Sequence, residues 1–226
     1  MFSWDGFGQK HLDFIFTPLE EHKRITILSG AIRSGKTTAM IPKGIMQWLG
    51  TNTNPNLKKI PHKAIVGVSK DTVFENILVD WFDFFEETGI PYNYNSTNGT
   101  LKVQYNNEDW AVCKVIGAEK NGSERKIRGK TFGGAYIDEL TLINKTFFKE
   151  LLGRCSVQGS KLFATTNPDS PNHWVYTEYM NNNNDVEVYH FTIDDNNTLS
   201  DEYIDFIKRQ YQGTFYARFI EGQWVI

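Results

Sequence analysis

The sequence predicts an α/β fold, a mostly parallel sheet with helices on both faces. Three observations predict it. Gly30-Ala31-Ile32-Arg33-Ser34-Gly35-Lys36-Thr37 matches G-x-x-x-x-G-K-[ST] without a mismatch, between a β-rich run and a helical pattern. Short apolar runs alternate with helical spacings through most of the chain. A short apolar run, Gly133-Gly134-Ala135-Tyr136-Ile137, ends in the adjacent carboxylates Asp138 and Glu139. A chain of 226 residues, 40% hydrophobic, can bury a substantial core in one domain with a small appendage. The expected division is an α/β core over 1–193 and a helical lid over 194–226.

Composition removes several function classes. The net charge of −3 means that any nucleic-acid contact must come from a local patch. Cys113 and Cys155 lie far from each other and from any histidine, which disfavours a zinc site and a disulfide framework. They read as buried small hydrophobes in a reducing compartment. The N-terminus lacks the basic and apolar regions of a signal peptide. No apolar run reaches the ~18 residues of a membrane span. The expectation is a soluble intracellular protein without a membrane partner, so triplets such as Asn121-Gly122-Ser123 read as loop composition.

Taken in order, Leu12, Phe14, Ile15 and Phe16 suggest a short helix after Gln9. On spacing alone, Gln9 is either an adenine-edge contact or an ordinary surface glutamine. The first strand is 24–28. The helix after the loop carries Pro42, which predicts a break there with helix resuming over 43–49. A polar loop with Lys58-Lys59 follows. The second strand is 63–68. Asp71 reads as the cap of a helix that places Phe74, Ile77, Leu78, Trp81, Phe82 and Phe85 on one face, a core stripe. Residues 100–105 and 110–117 read as a hairpin turning at Asn106, Asn107, Glu108 and Asp109. A basic loop follows, with Lys120, Arg125, Lys126, Arg128 and Lys130. Beyond the Asp138-Glu139 strand, Asn144 caps a helix closed by Gly153. Strands follow at 161–166 and 186–192. Ser200 then caps a helix stopped by Gly213, and a short helix covers 214–221.

The chemistry follows from residue types. Backbone N–H groups of a Gly-rich loop and the N-terminus of the next helix cradle phosphates. The residues offered to a nucleotide are Gly30, Ala31, Ile32, Arg33, Ser34, Gly35, Lys36, Thr37 and Thr38. Lys36 reaches the terminal phosphates, and Thr37 with Asp138 suits Mg2+. Glu139 suits activation of a water, which favours a nucleotide hydrolase over a small-molecule kinase. The competing reading of Asp138-Glu139 is a solvated acidic turn. Thr165, Thr166 and Asn167 end a strand, where they can sense a γ-phosphate or merely cap a turn. Arg33 can touch the γ-phosphate from within the loop. Arg125 and Arg128 can act in a neighbour's site, contact DNA, or form a solvated face.

Together these segments resemble the large terminase subunit of tailed bacteriophages, PBSX-type. The matching stretches are the 30–37 loop, Arg128-Gly129 ahead of Tyr136-Ile137-Asp138-Glu139, residues 162–174 and residues 213–224; the Thr165-Thr166-Asn167-Pro168-Asp169-Ser170-Pro171 run and the ending Gly222-Gln223-Trp224 are their most specific parts. The resemblance implies an ASCE, RecA-like P-loop ATPase domain with a C-terminal helical lid. It implies ATP and Mg2+ as cofactors, Glu139 as catalytic carboxylate, Arg128 as a trans-acting finger, Gln9 at adenine, and Thr165, Thr166 and Asn167 as the coupling motif. It further implies translocation of double-stranded viral DNA into a procapsid, with portal protein and small terminase subunit as partners. It implies as working form a homo-oligomeric ring, a pentamer, in the host cytoplasm at the portal vertex and outside the mature virion, with a monomer expected of the isolated piece. The family's nuclease domain has no counterpart in these residues, so no DNA cleavage is expected of them. A helicase-like DNA-remodelling ATPase and a non-motor nucleotide switch remain as alternatives.

Overall fold

The computed structural model describes residues 3–105 and 109–226. Its strands are β1 (Ile25–Gly30), β2 (Lys63–Gly67), β3 (Tyr92–Asn95), β4 (Thr100–Tyr105), β5 (Asp109–Gly117), β6 (Gly134–Ile137), β7 (Lys161–Thr166) and β8 (Val186–Phe191). They form one sheet in the order β3-β4-β5-β2-β6-β7-β1-β8. Only β4 runs against the others, because it pairs antiparallel with both β3 and β5 while every other pairing is parallel. The helices are α1 (Gln9–Phe16), α2 (Lys36–Lys43), α3 (Lys70–Val73), α4 (Val79–Thr88), α5 (Lys145–Arg154), α6 (Asp201–Gln210) and α7 (Gly213–Phe219). Among the described residues, no helix is long and apolar enough to cross a membrane.

The strands read as continuous apolar runs because both faces of the sheet are covered. Their two-residue period still divides them between two cores. Ile65 and Tyr136 join the core beneath α1, α2 and α4, with Phe14, Trp48, Trp81 and Phe85. Ala64, Val66, Ala135 and Ile137 join the opposite core, with Phe147, Phe148 and Leu151 of α5. Side chains such as Trp81, Phe85 and Phe147, each 0% exposed, stabilise the fold by roughly 1.5–3 kcal/mol apiece through apolar burial. Cys113 and Cys155 are free and buried in these cores.

Several local expectations are corrected. Pro42 does not break its helix; α2 runs through it and continues as wider π-helical turns over Gly44–Leu49. Ser69, not Asp71, caps α3: its hydroxyl accepts from Thr72 N–H, and the Thr72 side chain completes a capping box. Asp71 sits in the first turn. Wider turns over Phe74–Leu78 join α3 to α4. Gly153 lies inside α5, which runs to Arg154. Gly213 opens α7, whereas α6 already ends at Gln210. Of the expected core stripe, Phe74 is exposed and Phe82 only partly buried; both pack on β3, a strand absent from the sequence reading, with Phe82 stacked on Tyr92 at 4.6 Å and Phe74 on Tyr94 at 6.0 Å. The expected hairpin of β4 and β5 forms, while Asn106, Asn107 and Glu108 of its turn lie outside the described residues. Asn144 and Ser200 cap their helices as expected.

Candidate active site

β1 lies between β7 and β8, and β7 separates it from β6. The C-terminal ends of β1, β6 and β7 therefore meet at one edge of the sheet. The loop leaving β1 turns at Gly35, whose φ of +82° suits glycine and whose next residue starts α2. The first N–H groups of α2 have no intrahelical partner and face the loop's concavity. A cleft of about 460 Å³ opens there. It is lined by Ile32, Arg33, Ser34, Gly35, Lys36, Thr37 and Thr38 of the loop, Asp138 and Glu139 after β6, and Thr165, Thr166 and Asn167 at β7. Tyr203 and Ile207 of α6, with Tyr211 just after it, close one side.

Lys36 is the centre of the arrangement. Its three N–H groups are shared among four acceptors, Gly30 O at 3.0 Å, Ala31 O at 2.6 Å, Ser34 Oγ at 3.1 Å and Asn167 Oδ1 at 3.1 Å. Gly30 and Ala31 thus lie under the lysine instead of lining the cleft. Burial pushes the Lys36 ammonium down to about 8, against the opposing pull of Glu139 and Asp138.

The chain enters Asp138 through a continued ladder bond, Asp138 N–H to Val66 O at 2.8 Å. Asp138 Oδ1 accepts from Thr165 Oγ1 at 2.7 Å and lies 3.5 Å from Thr37 Oγ1; Oδ2 accepts from Asn76 Nδ2 at 3.2 Å. The backbone then turns left-handed at Glu139, with φ of +54°, a conformation that costs a non-glycine residue on the order of 1 kcal/mol or more. This strain aims the carboxylate into the cleft. Burial, and secondarily Asp138, raise the Glu139 pKa, while Lys36 opposes. Asn167 joins the two ends of the site: its amide accepts from Lys36 and donates to Glu139 Oε1 at 3.4 Å. Thr166 points away from this pair, its hydroxyl bonded to Thr141 Oγ1 at 3.1 Å.

Two sequence candidates sit elsewhere. Gln9 opens α1, is exposed, and donates to Asp13 Oδ1 at 2.7 Å one turn on, so it does not line the cleft. Phe7, His11, Gly35, Thr38 and Ile41 instead line an adjoining cavity of about 330 Å³ with Asn196 and Thr198. Arg128 stands on an exposed loop with Glu124 at 3.9 Å, outside the cleft.

Sequence reasoning gave no role to four contributors. Asn76 holds Asp138 from the helical segment after β2. The buried His11 accepts from Gly8 N–H through Nδ1, so Nε2 carries the proton and donates to Ser34 O at 2.7 Å. Burial lowers its pKa, which favours this neutral form. Arg218 of α7 pairs at 3.3 Å with Asp169, two residues beyond Asn167. Trp224 donates to Ser29 Oγ at 3.0 Å, clipping the C-terminal segment to β1. Asn76, His11 and Arg218 carry no local signature of these roles, and their contacts with Asp138, Ser34 and Asp169 join distant parts of the chain; Trp224 stands in the Gly222-Gln223-Trp224 ending quoted above.

The family model for the terminase large subunit, T4likevirus-type, N-terminal, matches residues 27–226. The chain belongs to that family. Among solved structures, the large terminase of a thermophilic bacteriophage superposes with a TM-score of 0.87 at 27% identity, covering 97% of this chain and 54% of that one. The same protein has structures in complex with ADP and with ATP-γ-S, which superpose with TM-scores of 0.87 and 0.84. The ATPase domain of the Thermus phage P74-26 large terminase gives 0.65 at 14% identity, covering 90% of this chain and 89% of that one, a likeness of fold. Among curated proteins, none matches. The terminase chain thus has the P-loop ASCE fold and spans about half the length of the thermophilic phage protein.

Proposed function

We propose that this chain hydrolyses ATP and uses the energy to translocate double-stranded viral DNA into a procapsid. The observation that carries the proposal is the set Lys36, Thr37, Asp138, Glu139 and Asn167 around one cleft at the sheet's edge. The ADP and ATP-γ-S complexes of the thermophilic phage terminase support the nucleotide.

In this reading the loop amides and Lys36 bind the phosphates, the lysine exchanging carbonyl partners for phosphate oxygens. The Thr37 hydroxyl and Asp138 carboxylate are hard oxygen donors fit for Mg2+, which supplies charge neutralisation on the phosphates. Glu139 orients the attacking water and accepts its proton; its raised pKa makes it a better base than an ordinary carboxylate. Arg33, exposed in the loop, contacts the γ-phosphate in cis. Asn167 senses the γ-phosphate through Lys36 and Glu139, with Thr165 and Thr166 fixing the strand end. Arg128 reaches a neighbouring copy's site in a ring of five, docked on the portal and supplied with DNA by the small subunit. The base sits in the adjoining cavity by Phe7 and Thr38, instead of on Gln9. The core over 1–193 does the chemistry and the segment over 194–226 serves as its lid. The place of action is the portal vertex in the host cytoplasm.

The test is steady-state ATP hydrolysis with and without duplex DNA. Glu139→Gln should lose about 100-fold or more in kcat while still binding ATP. Hydrolysis by Glu139→Gln at the wild-type rate overturns the assignment.

A further inference from the structure

A second cleft, of about 490 Å³, opens over the C-terminal ends of β2 and β5, at the same edge of the sheet as Asp138. Five lysines converge on it: Lys70 at the start of α3, Lys114 on β5, and Lys120, Lys126 and Lys130 from the following loop. Glu119 is the one carboxylate among its lining residues. Four of the five ammonium groups are anchored on neutral oxygens. Lys70 donates to Ser96 O and Thr97 O at 3.2 Å, Lys126 to Gly117 O at 2.6 Å, and Lys130 to Lys126 O at 2.6 Å. Lys114 donates to Thr100 Oγ1. Among the described residues, none of the five has a carboxylate within ion-pair distance, whereas Lys10, Lys145, Lys149 and Lys208 each do.

The chain therefore concentrates uncompensated positive charge here while carrying −3 overall. Each ammonium keeps donor capacity beyond its neutral partner. An array of point-charge donors suits phosphate oxygens. A protein partner is a poorer match, since lysine is depleted from the cores of protein interfaces. Lys58 and Lys59 do not line this cleft. A physical link to the nucleotide site is present as well. Lys70 and Asn76 lie on one continuous helical segment, and Asn76 holds Asp138.

We propose that this lysine cleft holds the phosphate backbone of duplex DNA. The inference rests on the motor reading above and says which face of the chain meets the DNA. The experiment compares the 226-residue wild type with a variant carrying Lys70→Gln, Lys120→Gln, Lys126→Gln and Lys130→Gln, all at exposed positions. Binding to a fluorescent 30-base-pair duplex, a length chosen at roughly three helical turns, is read by anisotropy across a salt series. Lost phosphate contacts lower the slope of log K against log salt by about 0.9 each, so the variant's slope should fall by about 2 to 4. Its affinity at low salt should drop at least roughly tenfold, with DNA-free ATP hydrolysis unchanged. Equal affinity and equal slope overturn the cleft assignment and leave the motor reading standing. A wild type that binds no duplex at any salt overturns the motor reading and the assignment together. If the wild type self-associates without DNA and the variant does not, the cleft is an interface between copies and the assignment is overturned.

Discussion

Asn167 is the most exposed to disproof of the residues around the cleft. Replacing it with alanine removes both bonds of its amide. The Lys36 end tolerates the loss, since Gly30 O, Ala31 O and Ser34 Oγ still hold the ammonium at 3.0, 2.6 and 3.1 Å. The Glu139 end does not, since among the described residues Asn167 is the one recorded donor to its carboxylate. A hydrogen bond to a charged group contributes about 1.5–3 kcal/mol, which converts to roughly a 10- to 150-fold loss of kcat. At 3.4 Å the bond is long, which favours the lower half of that range. KM for ATP should change less than about threefold, because the loop that binds phosphate keeps its own bonds. Asn167→Asp should keep the Lys36 contact but place a like charge beside Glu139. The acid limb of its kcat profile should then move to higher pH. The assay is steady-state hydrolysis at saturating Mg-ATP over a pH series. A kcat for Asn167→Ala within about threefold of wild type refutes the idea that this amide positions Glu139.

Two further outcomes follow from the same geometry. Because Lys36 is held near 8 in the free protein, and at 10.5 when unfolded, the unfolded chain binds more protons between these values and stability rises with pH across that window. Phosphates restore the ammonium, so nucleotide binding at pH 8.5 should take up roughly three-quarters of a proton, measured by calorimetry in buffers of different ionisation enthalpy. Lys36→Arg should bind without that uptake, since a guanidinium stays charged; uptake unchanged in Lys36→Arg would assign the proton elsewhere. His11→Ala leaves Ser34 O without its donor and Gly8 N–H without its acceptor. A loss of about 2–3 kcal/mol, or roughly 5–10 °C in Tm, is expected, with His11→Gln recovering part of it. A change below about 2 °C in a melting scan would show that the histidine does not brace the loop.

The parts of the site legible in the sequence were those whose chemistry is local. The loop, the Asp138-Glu139 pair and the Thr165-Thr166-Asn167 strand end each announce themselves within a few residues, and parallel topology gathers them. Asn76, His11 and Arg218 carry no such signature, because their partners lie 62, 23 and 49 positions away in the chain. Some missed features did leave a trace. Ser69 stands three residues ahead of Thr72, the spacing of a capping box. The Tyr92-Asn93-Tyr94-Asn95 alternation has the period of a half-buried strand. Pro42 misled in the opposite direction: the cost assigned to a proline inside a helix is a local one, and tertiary burial of Ala39, Met40, Ile41 and Pro42 itself offsets it.

The phosphate loop is held by three segments outside it. His11 holds Ser34 O, Asn196 donates to Arg33 O at 2.6 Å, and Ile32 N–H reaches Phe219 O at 3.1 Å. Its conformational entropy is thus surrendered during folding instead of at binding. A nucleotide meeting a pre-formed loop spends none of its interaction energy on ordering it. That energy stays available for Lys36 and its amide partner Asn167, whose bond a phosphate oxygen competes with.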